Sequence, residues 1–566
     1  MIERVEVMRG GGSALFGSSA IAGTINIITK EPLRNSGQLS HTLTALGGGS
    51  SFDNNTSLNA SLVTDDHRAG LYIFGQNRHR SGYDYDGDGF TELPKLKNQT
   101  VGFRSYLKTS TYSKLTFEYH HMQEFRRGGD MLDRPPHEAH IAEQLQHSID
   151  GGSLKFDYFS PDEKNRLSIF ASAANTDRDS YYGPGNDPLK AYGKTTDLTA
   201  MGGAQYVHTF DKCFFMPSDL TAGLEYNRDR LKDNMWGYDR HTDQTVNIYS
   251  AFLQNEWKND RWGILIGGRL DKHNMVDNVI FSPRANLRFN PTQNINLRLS
   301  YSSGFRAPQA FDEDMHIENV GGTVAMIERA KNLKEEKSQS FSASADMYHR
   351  FGVFQTNFLI EGFYTRLTDV FVLGEPYDRG DGILVKPRSN GPGAKVMGLT
   401  LEGKVAYLSI LQIQAGLTLQ RSRYDEPHKW HDDAPAEKKI FRTPDTYGYF
   451  TATYTPIKPL SIALSGTYTG RMLVQRMDIT AENAELGAMP ERKAEAIRTP
   501  RFFDLGVKLA YDFKLYKTVD LQLNGGVQNL FESYQKDFDR GANRDSGYIY
   551  GPSLPRSFFA GVKISY

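Results

Sequence analysis

The sequence predicts an all-β fold: a membrane-spanning antiparallel β-barrel of about 22 strands. Three observations carry this prediction. Apolar and polar residues alternate along nearly every segment, the links between segments are short and long by turns, and the composition is polar overall yet rich in tyrosine and glycine.

The composition narrows the classes first. The 566 residues carry a net charge of -1, so bulk electrostatics give no reason to expect nucleic acid as a partner. A single cysteine, Cys213, excludes an internal disulfide framework and any zinc-ribbon spacing. Hydrophobic residues make up 39% and mean hydropathy is -0.54, too polar for a bundle of membrane helices. Thirty tyrosines and 53 glycines suit strands joined by many turns. No basic and apolar leader precedes Ile2, so a signal peptide is not expected within these residues.

Alternation defines the strands. In Asn294 to Tyr301, Ile295, Leu297, Leu299 and Tyr301 share one face, while Asn294, Asn296, Arg298 and Ser300 share the other. The stretches Ser340 to Met347 and Val519 to Val527 repeat the pattern. A period of two places successive side chains on opposite faces of a sheet, one apolar and one polar.

The links decide between a soluble sandwich and a barrel. Short ones occur at 64–67, 160–164, 259–261 and 290–293. Between them lie long ones, near 80–98, 123–150, 176–195, 228–246, 304–338, 374–395, 423–443, 471–498 and 531–555. Long structureless links are uncommon in compact soluble domains. Confined to one end of a sheet, they match a transmembrane barrel with tight turns on one side and long loops on the other. Counting strands from about residue 37 gives 22, an even number, and the last alternating run ends on Tyr566. Closure also leaves so many strands without a raw edge.

The opening run Ile2 to Lys30 is glycine-rich, but no Gly-Lys-Ser/Thr step opens a helix, so a phosphate loop is not expected. Three of its blocks, Ile2 to Gly10, Ser13 to Gly17 and Gly23 to Lys30, resemble the last stretch of the plug of TonB-dependent outer-membrane receptors. Arg9 and Gly10 lie on the motif; the family's usual proline after the first glycine is here Gly11. Downstream, Gly304-Phe305-Arg306-Ala307-Pro308 and Asn332 to Ser338, with Asn332 and Leu333, resemble the paired boxes around a long loop of that family. Gly398 to Glu402 and Gln528 to Phe531 resemble its late-barrel strands.

The resemblance implies two parts: residues 1–34 as the C-terminal end of a plug domain, and residues 35–566 as the barrel. It also implies a bacterial outer-membrane receptor and active transporter of a scarce nutrient, energised through TonB by a region ahead of these residues. A chain starting at the end of its plug is expected not to perform energised transport alone. The implied partners are the TonB complex, outer-membrane lipid, a small-molecule nutrient and, in some members, a surface lipoprotein. A passive porin or adhesin is the alternative from another class, and the plug motif speaks against it. No Ser, His and acid constellation stands out, so an enzyme is not expected.

The sharpest local chemistry is Asp84-Tyr85-Asp86-Gly87-Asp88-Gly89-Phe90-Thr91-Glu92. Asp84, Asp86 and Asp88, a glycine at the sixth position and Glu92 at the ninth reproduce the first part of a calcium loop. The twelfth position is Lys95, so a full cage would need acids from elsewhere, such as Asp130, Asp133, Asp177 or Asp179. A solvated Asp-Gly turn is the plain alternative. Cobalamin receptors of the family resemble the chain here, which favours a corrinoid as the nutrient and Ca2+ as a bound ion. His316 lies in the loop where haem receptors of the family place a ligand to iron. Haem or a ferric siderophore therefore stays open. Arg126, Arg127, Tyr181, Tyr182 and Trp236 are candidates for a substrate rim, aromatic faces meeting apolar ligand surface and arginines meeting acids. An interfacial aromatic belt would use the same residue types.

Overall fold

A computed structural model describes residues 2–21, 23–184, 191–320, 323–479, 492–542 and 544–566. Twenty-two antiparallel strands close into one barrel, from Ser36–Leu46 to Ser557–Ser565. The seam runs from Gln38 opposite Ser565 to Leu46 opposite Ser557. A short strand, Glu437–Lys439, adds to the rim beside Leu411–His428. No described helix is long and apolar enough to cross a membrane, so the crossing is made by strands.

The alternation expected from sequence is the inside–outside alternation of the wall. On Glu336–Phe351, Ser338 and Ser340 are buried inward, while Lys337, Gln339 and Phe341 are exposed outward. Leu399, Leu417, Leu419 and Ile266 belong to the same exposed apolar exterior.

The sequence placed the long links too generously. Strands run on well beyond the roughly 9–11 residues that a tilted strand needs to cross the hydrocarbon core. Asn165–Pro184, Tyr192–Cys213 and Met216–Met235 are 20, 22 and 20 residues long. The link expected at 228–246 is mostly ladder, closed by a one-turn 3-10 helix at Trp236–Tyr238. Similarly, the link at 123–150 shrinks to the stretch between Gly129 and Ile141.

Two structures lie apart from the ladder of the wall. At the long-loop end, Glu318–Val320, Thr323–Arg329, Phe371–Leu373, Tyr377–Asp378 and Leu384–Asn390 form a separate five-stranded sheet. Met326 of this sheet and Ile383, just ahead of the strand Leu384–Asn390, pack with Tyr181, Tyr182 and Met235 in a buried cluster.

Against the inner wall lies a hairpin, Ile2–Arg9 with Gly23–Thr29, and a four-residue helical turn, Ser13–Phe16. The Gly11 amide donates to Ser340 Oγ at 3.0 Å, and Ser338 Oγ donates to the Ile21 carbonyl at 2.7 Å. Ser13 Oγ accepts from the Phe305 amide at 3.1 Å. This explains the departure at position 11. A proline there has no N–H to donate, and any Cβ would come within 2.7 Å of the Ser303 carbonyl carbon. Glu31 then ties the segment to the wall through Arg104 at 3.2 Å and Lys114 at 3.1 Å.

Candidate functional site

The acidic loop lies between the strands Ala69–Arg80 and Lys95–Ser110, at the long-loop end. Asp84, Asp86 and Asp88 converge, each offering an oxygen within 4.8 Å of the others. The turn is built by its own carboxylates. Asp84 accepts from the Gly87 and Gly89 amides at 2.7 and 2.8 Å, and Asp88 accepts from Phe90 at 2.8 Å. Gly87 and Gly89 sit at φ of 74° and 90°, where a side chain would be strained.

The remaining carboxylate oxygens face the last loop of the barrel. Arg544 reaches Asp88 at 2.5 Å and Glu92 at 3.2 Å, and Arg540 reaches Asp86 at 3.1 Å. The Gly541 amide donates to Asp88 at 2.6 Å. The Arg544 guanidinium also stacks 4.8 Å from the Phe90 ring. Glu92 therefore stands apart from the three aspartates: it faces Arg544 and accepts the Tyr85 amide at 2.6 Å.

Burial pushes the Asp88 carboxyl up, but the Gly541 and Phe90 amides and Arg544 outweigh it, holding it below the usual carboxylate range. Burial dominates at Glu92 and raises it. None of the acids suggested as extra ligands joins the three aspartates among the described residues: Asp130 accepts from Ile141 and bonds His140, Asp133 lies 3.9 Å from Lys95, and Asp177 accepts from Asn175 at 3.0 Å.

Beside this loop is a pocket of about 240 Å³, lined among others by Phe90, Glu92, Arg126, Tyr182, Arg544 and Tyr548. The same lining includes Glu143, Asp539 and Asp545, so its carboxylates outnumber its two arginines. Arg126 is half-exposed and paired with Glu124 at 2.6 Å. His316 packs edge-on to Tyr182, ring centroids 5.3 Å apart, and its Nδ1 is 4.0 Å from Glu143. Trp236 is exposed on the neighbouring hairpin tip, whose Tyr238 hydroxyl donates to the Tyr182 carbonyl at 2.6 Å.

Two rim candidates go elsewhere. Tyr181 is fully buried, packed edge-on to Tyr192 at 4.9 Å, because the strand's alternation turns it away from Tyr182. Arg127 is also buried and spends its guanidinium on the carbonyls of Gly128 and Asp130. Both hold the rim up rather than line it. Sequence reasoning missed Arg540, Arg544, Asp539, Asp545 and Tyr548, all from a loop whose mix of aromatic and charged residues was the only available signal.

The paired motif boxes are also legible in space. Arg306 stacks 3.9 Å over Phe311 and bridges Glu313 at 2.5 Å. The Pro308 carbonyl accepts from Arg329, and the Leu333 amide donates to Ala330 beside Asn332. Arg178 and Arg240, buried around Asp233, clamp the turn Asp312–Met315 through Asp312 at 2.7 Å and the Met315 carbonyl at 2.9 Å.

The family model for a TonB dependent receptor-like β-barrel matches residues 24–530. The chain belongs to the TonB-dependent receptor family. It is therefore a β-barrel of the bacterial outer membrane, in a family of receptors rather than enzymes. Among curated relatives, it is 26% identical over 320 residues to an iron-regulated outer membrane virulence protein of Vibrio cholerae, covering 54% of this chain and 45% of that protein. It is 24% identical over 328 residues to the vitamin B12 transporter BtuB of Vibrio vulnificus, covering 55% and 48%. The match thus spans about half the length of these relatives. Among solved structures, the siderophore receptor PirA from Acinetobacter baumannii superposes with a TM-score of 0.76 at 16% identity, covering 100% of this chain and 85% of that one. A variant of the ferric enterobactin receptor from Pseudomonas aeruginosa, in complex with enterobactin, gives 0.76 at 17%, covering 100% and 86%. At such identities the likeness concerns the fold.

Proposed function

We propose that this barrel is the transport body of a TonB-dependent nutrient receptor whose ligand enters at the long-loop end, and that the ligand is a corrinoid. Residues 2–34 are read as the end of a plug, on the strength of the hairpin held against the inner wall by Gly11, Ser13 and Ile21. Energy would come through the TonB complex, and a population shift on ligand binding would signal to it.

The observation that carries the corrinoid reading is the Asp84–Asp86–Asp88 convergence beside a mixed apolar and polar pocket. The acid surplus of that pocket disfavours a strongly anionic ligand and suits a neutral, amide-bearing edge of a ligand seated above it. Hard carboxylate oxygens in a glycine turn fit calcium in type. Two of the three aspartates are neutralised by Arg540 and Arg544, so calcium would load by exchange with those guanidiniums. A ferric siderophore is the second reading, favoured by the siderophore receptors among the fold neighbours.

The test is titration of cyanocobalamin, haemin and a ferric siderophore into the detergent-purified receptor, each with calcium and with a chelator. Cyanocobalamin binding that collapses on chelation is expected. Haemin binding that ignores calcium and is lost in His316→Ala would transfer the site to His316, and siderophore binding alone would establish the second reading.

A further inference from the structure

A second cavity, of about 520 Å³, lies inside the barrel between the hairpin and the wall. Met8, Gly11, Gly12 and Ala14 form one side of it. The other side belongs to five neighbouring strands, from Arg240–Lys258 to Ile295–Arg306 and on to Glu336–Phe351. Lys258, Arg288 and Arg298 stand close to the short links at 259–261 and 293–294, so the cavity lies toward the short-turn end, away from the acidic loop.

Its charges are unbalanced. Four cations line it, Lys258, Arg284, Arg288 and Arg298, against a single acid, Glu256. Lys258 is spent on Asp219 at 2.6 Å. Arg288 and Arg298 stand directly opposite each other across the ladder, where like charges repel. Among the described residues neither forms an ion pair. Arg288 gives one N–H to the Asn259 carbonyl at 3.1 Å, and Arg298 makes no hydrogen bond.

Arg284, opposite Ser302, has its Nη1 buried without a partner. The inward acid of the next strand, Asp346, is occupied by Tyr348 at 2.9 Å and by Asn357. The wall thus holds a repulsive arginine pair that its own carboxylates do not relieve, and a bound anion would turn that repulsion into attraction. Guanidinium forks beside the hydroxyls of Ser300, Ser302 and Ser342 suit the several oxygens of a phosphate. The volume is that of a small-molecule site and too large for a bare ion.

We propose that this cavity binds a small phosphate ester, its phosphate held between Arg288 and Arg298 and its body lying along the hairpin. Arg284 Nη1 donates to the same ligand, which satisfies the one buried donor the wall leaves open. The site goes beyond the nutrient reading and does not depend on it: it rests on the lumenal face of the wall and on the hairpin alone.

Isothermal titration calorimetry of the 566-residue chain, in non-ionic detergent and phosphate-free buffer, tests the site. The probes are ribose 5-phosphate, ribose and inorganic phosphate. Ribose 5-phosphate should saturate, ribose should give no binding heat, and inorganic phosphate should bind more weakly than the ester. Affinity for the ester should fall roughly 100-fold in an R288Q/R298Q chain, at about tenfold for each charged hydrogen-bonding partner removed. Glu256→Gln removes the acid of the cavity and should tighten the ester by roughly threefold, a gain that a damaged fold would not produce. Heat-dependent gel migration confirms closure of each variant. No saturable binding of ribose 5-phosphate, an affinity unchanged in R288Q/R298Q, or inorganic phosphate bound as tightly as the ester would overturn the proposal.

Discussion

Replacing Arg544 by glutamine probes the contact between the first and last long loops. The guanidinium is 13% exposed, and the carboxylates it meets, Asp88 and Glu92, are 11% and 2% exposed. Deleting one partner of a buried ion pair costs about 3–5 kcal/mol, because the surviving charge is left without compensation. Here two carboxylates are stranded, but Glu92, already raised by burial, can relieve the strain by taking a proton. The lower figure, about 3 kcal/mol, is therefore appropriate. It corresponds to roughly a 100-fold rise in the opening equilibrium of the loop pair.

The readout is hydrogen-exchange protection at the amides of Gly541, Phe90 and Tyr85, which Asp88 and Glu92 hold. All three should lose protection together, while the amides along the Gln38–Ser565 seam keep theirs. The Arg544→Gln chain should also bind calcium more tightly, since Asp88 is released. Protection within threefold of the parent would refute the reasoning, because the turn's own Asp84 bonds would then suffice to hold the loop.

Other perturbations have equally definite outcomes. Asp88, depressed in the fold, contributes stability that is complete above its unfolded-state value near about 3.9 and is lost as pH falls through its lower folded value. Glu92, raised by burial, works in the opposite direction, so Glu92→Gln should make the acid loss of Gly541 protection steeper; an unchanged profile would contradict this. Gly11→Val should push residues 2–29 off the wall at Ser303, so trypsin cuts at Arg4 while the barrel stays intact, and equal resistance would count against the packing. Arg178→Met should free the turn Asp312–Met315 at Asp312, at a cost of about 1 kcal/mol because Asp233 keeps Arg240 and Thr195, seen as faster exchange at the Asp314 amide with the seam unaffected. Leu417→Arg, on the outer face, should destabilise the barrel by about 2–4 kcal/mol in bilayer refolding, and no loss would place that residue outside the hydrocarbon.

The strand count, the closure and the split into lumen and outer faces were legible in the sequence because hydrocarbon imposes a hydropathy rhythm on every crossing. That rhythm stops where the bilayer stops. Along Asp229-Arg230-Leu231-Lys232-Asp233 four of five residues are charged and the single apolar one, Leu231, packs on Ala310 and Met315, so a continuing ladder reads as a loop. The acidic turn was legible because its spacing is local. Its partner Arg544 was not, being 456 residues from Asp88 in sequence and brought there only by barrel closure. Tyr181 and Tyr182 show the same limit at smaller scale: adjacent aromatics look alike in sequence and both are buried, and only the pleat decides that Tyr182 is the one lining the pocket.

The seam between Ser36–Leu46 and Ser557–Ser565 has a consequence for biogenesis. The first strand of the barrel has no second neighbour until the last has been made, so nothing shorter than the whole wall can seal. A ribosome that stops early, or a protease that removes Phe558 to Tyr566, leaves a curled sheet with two sticky borders instead of a narrower cylinder. Such a product is a substrate for quality control, and the abundance of this protein in cells should depend on that last strand out of proportion to its length.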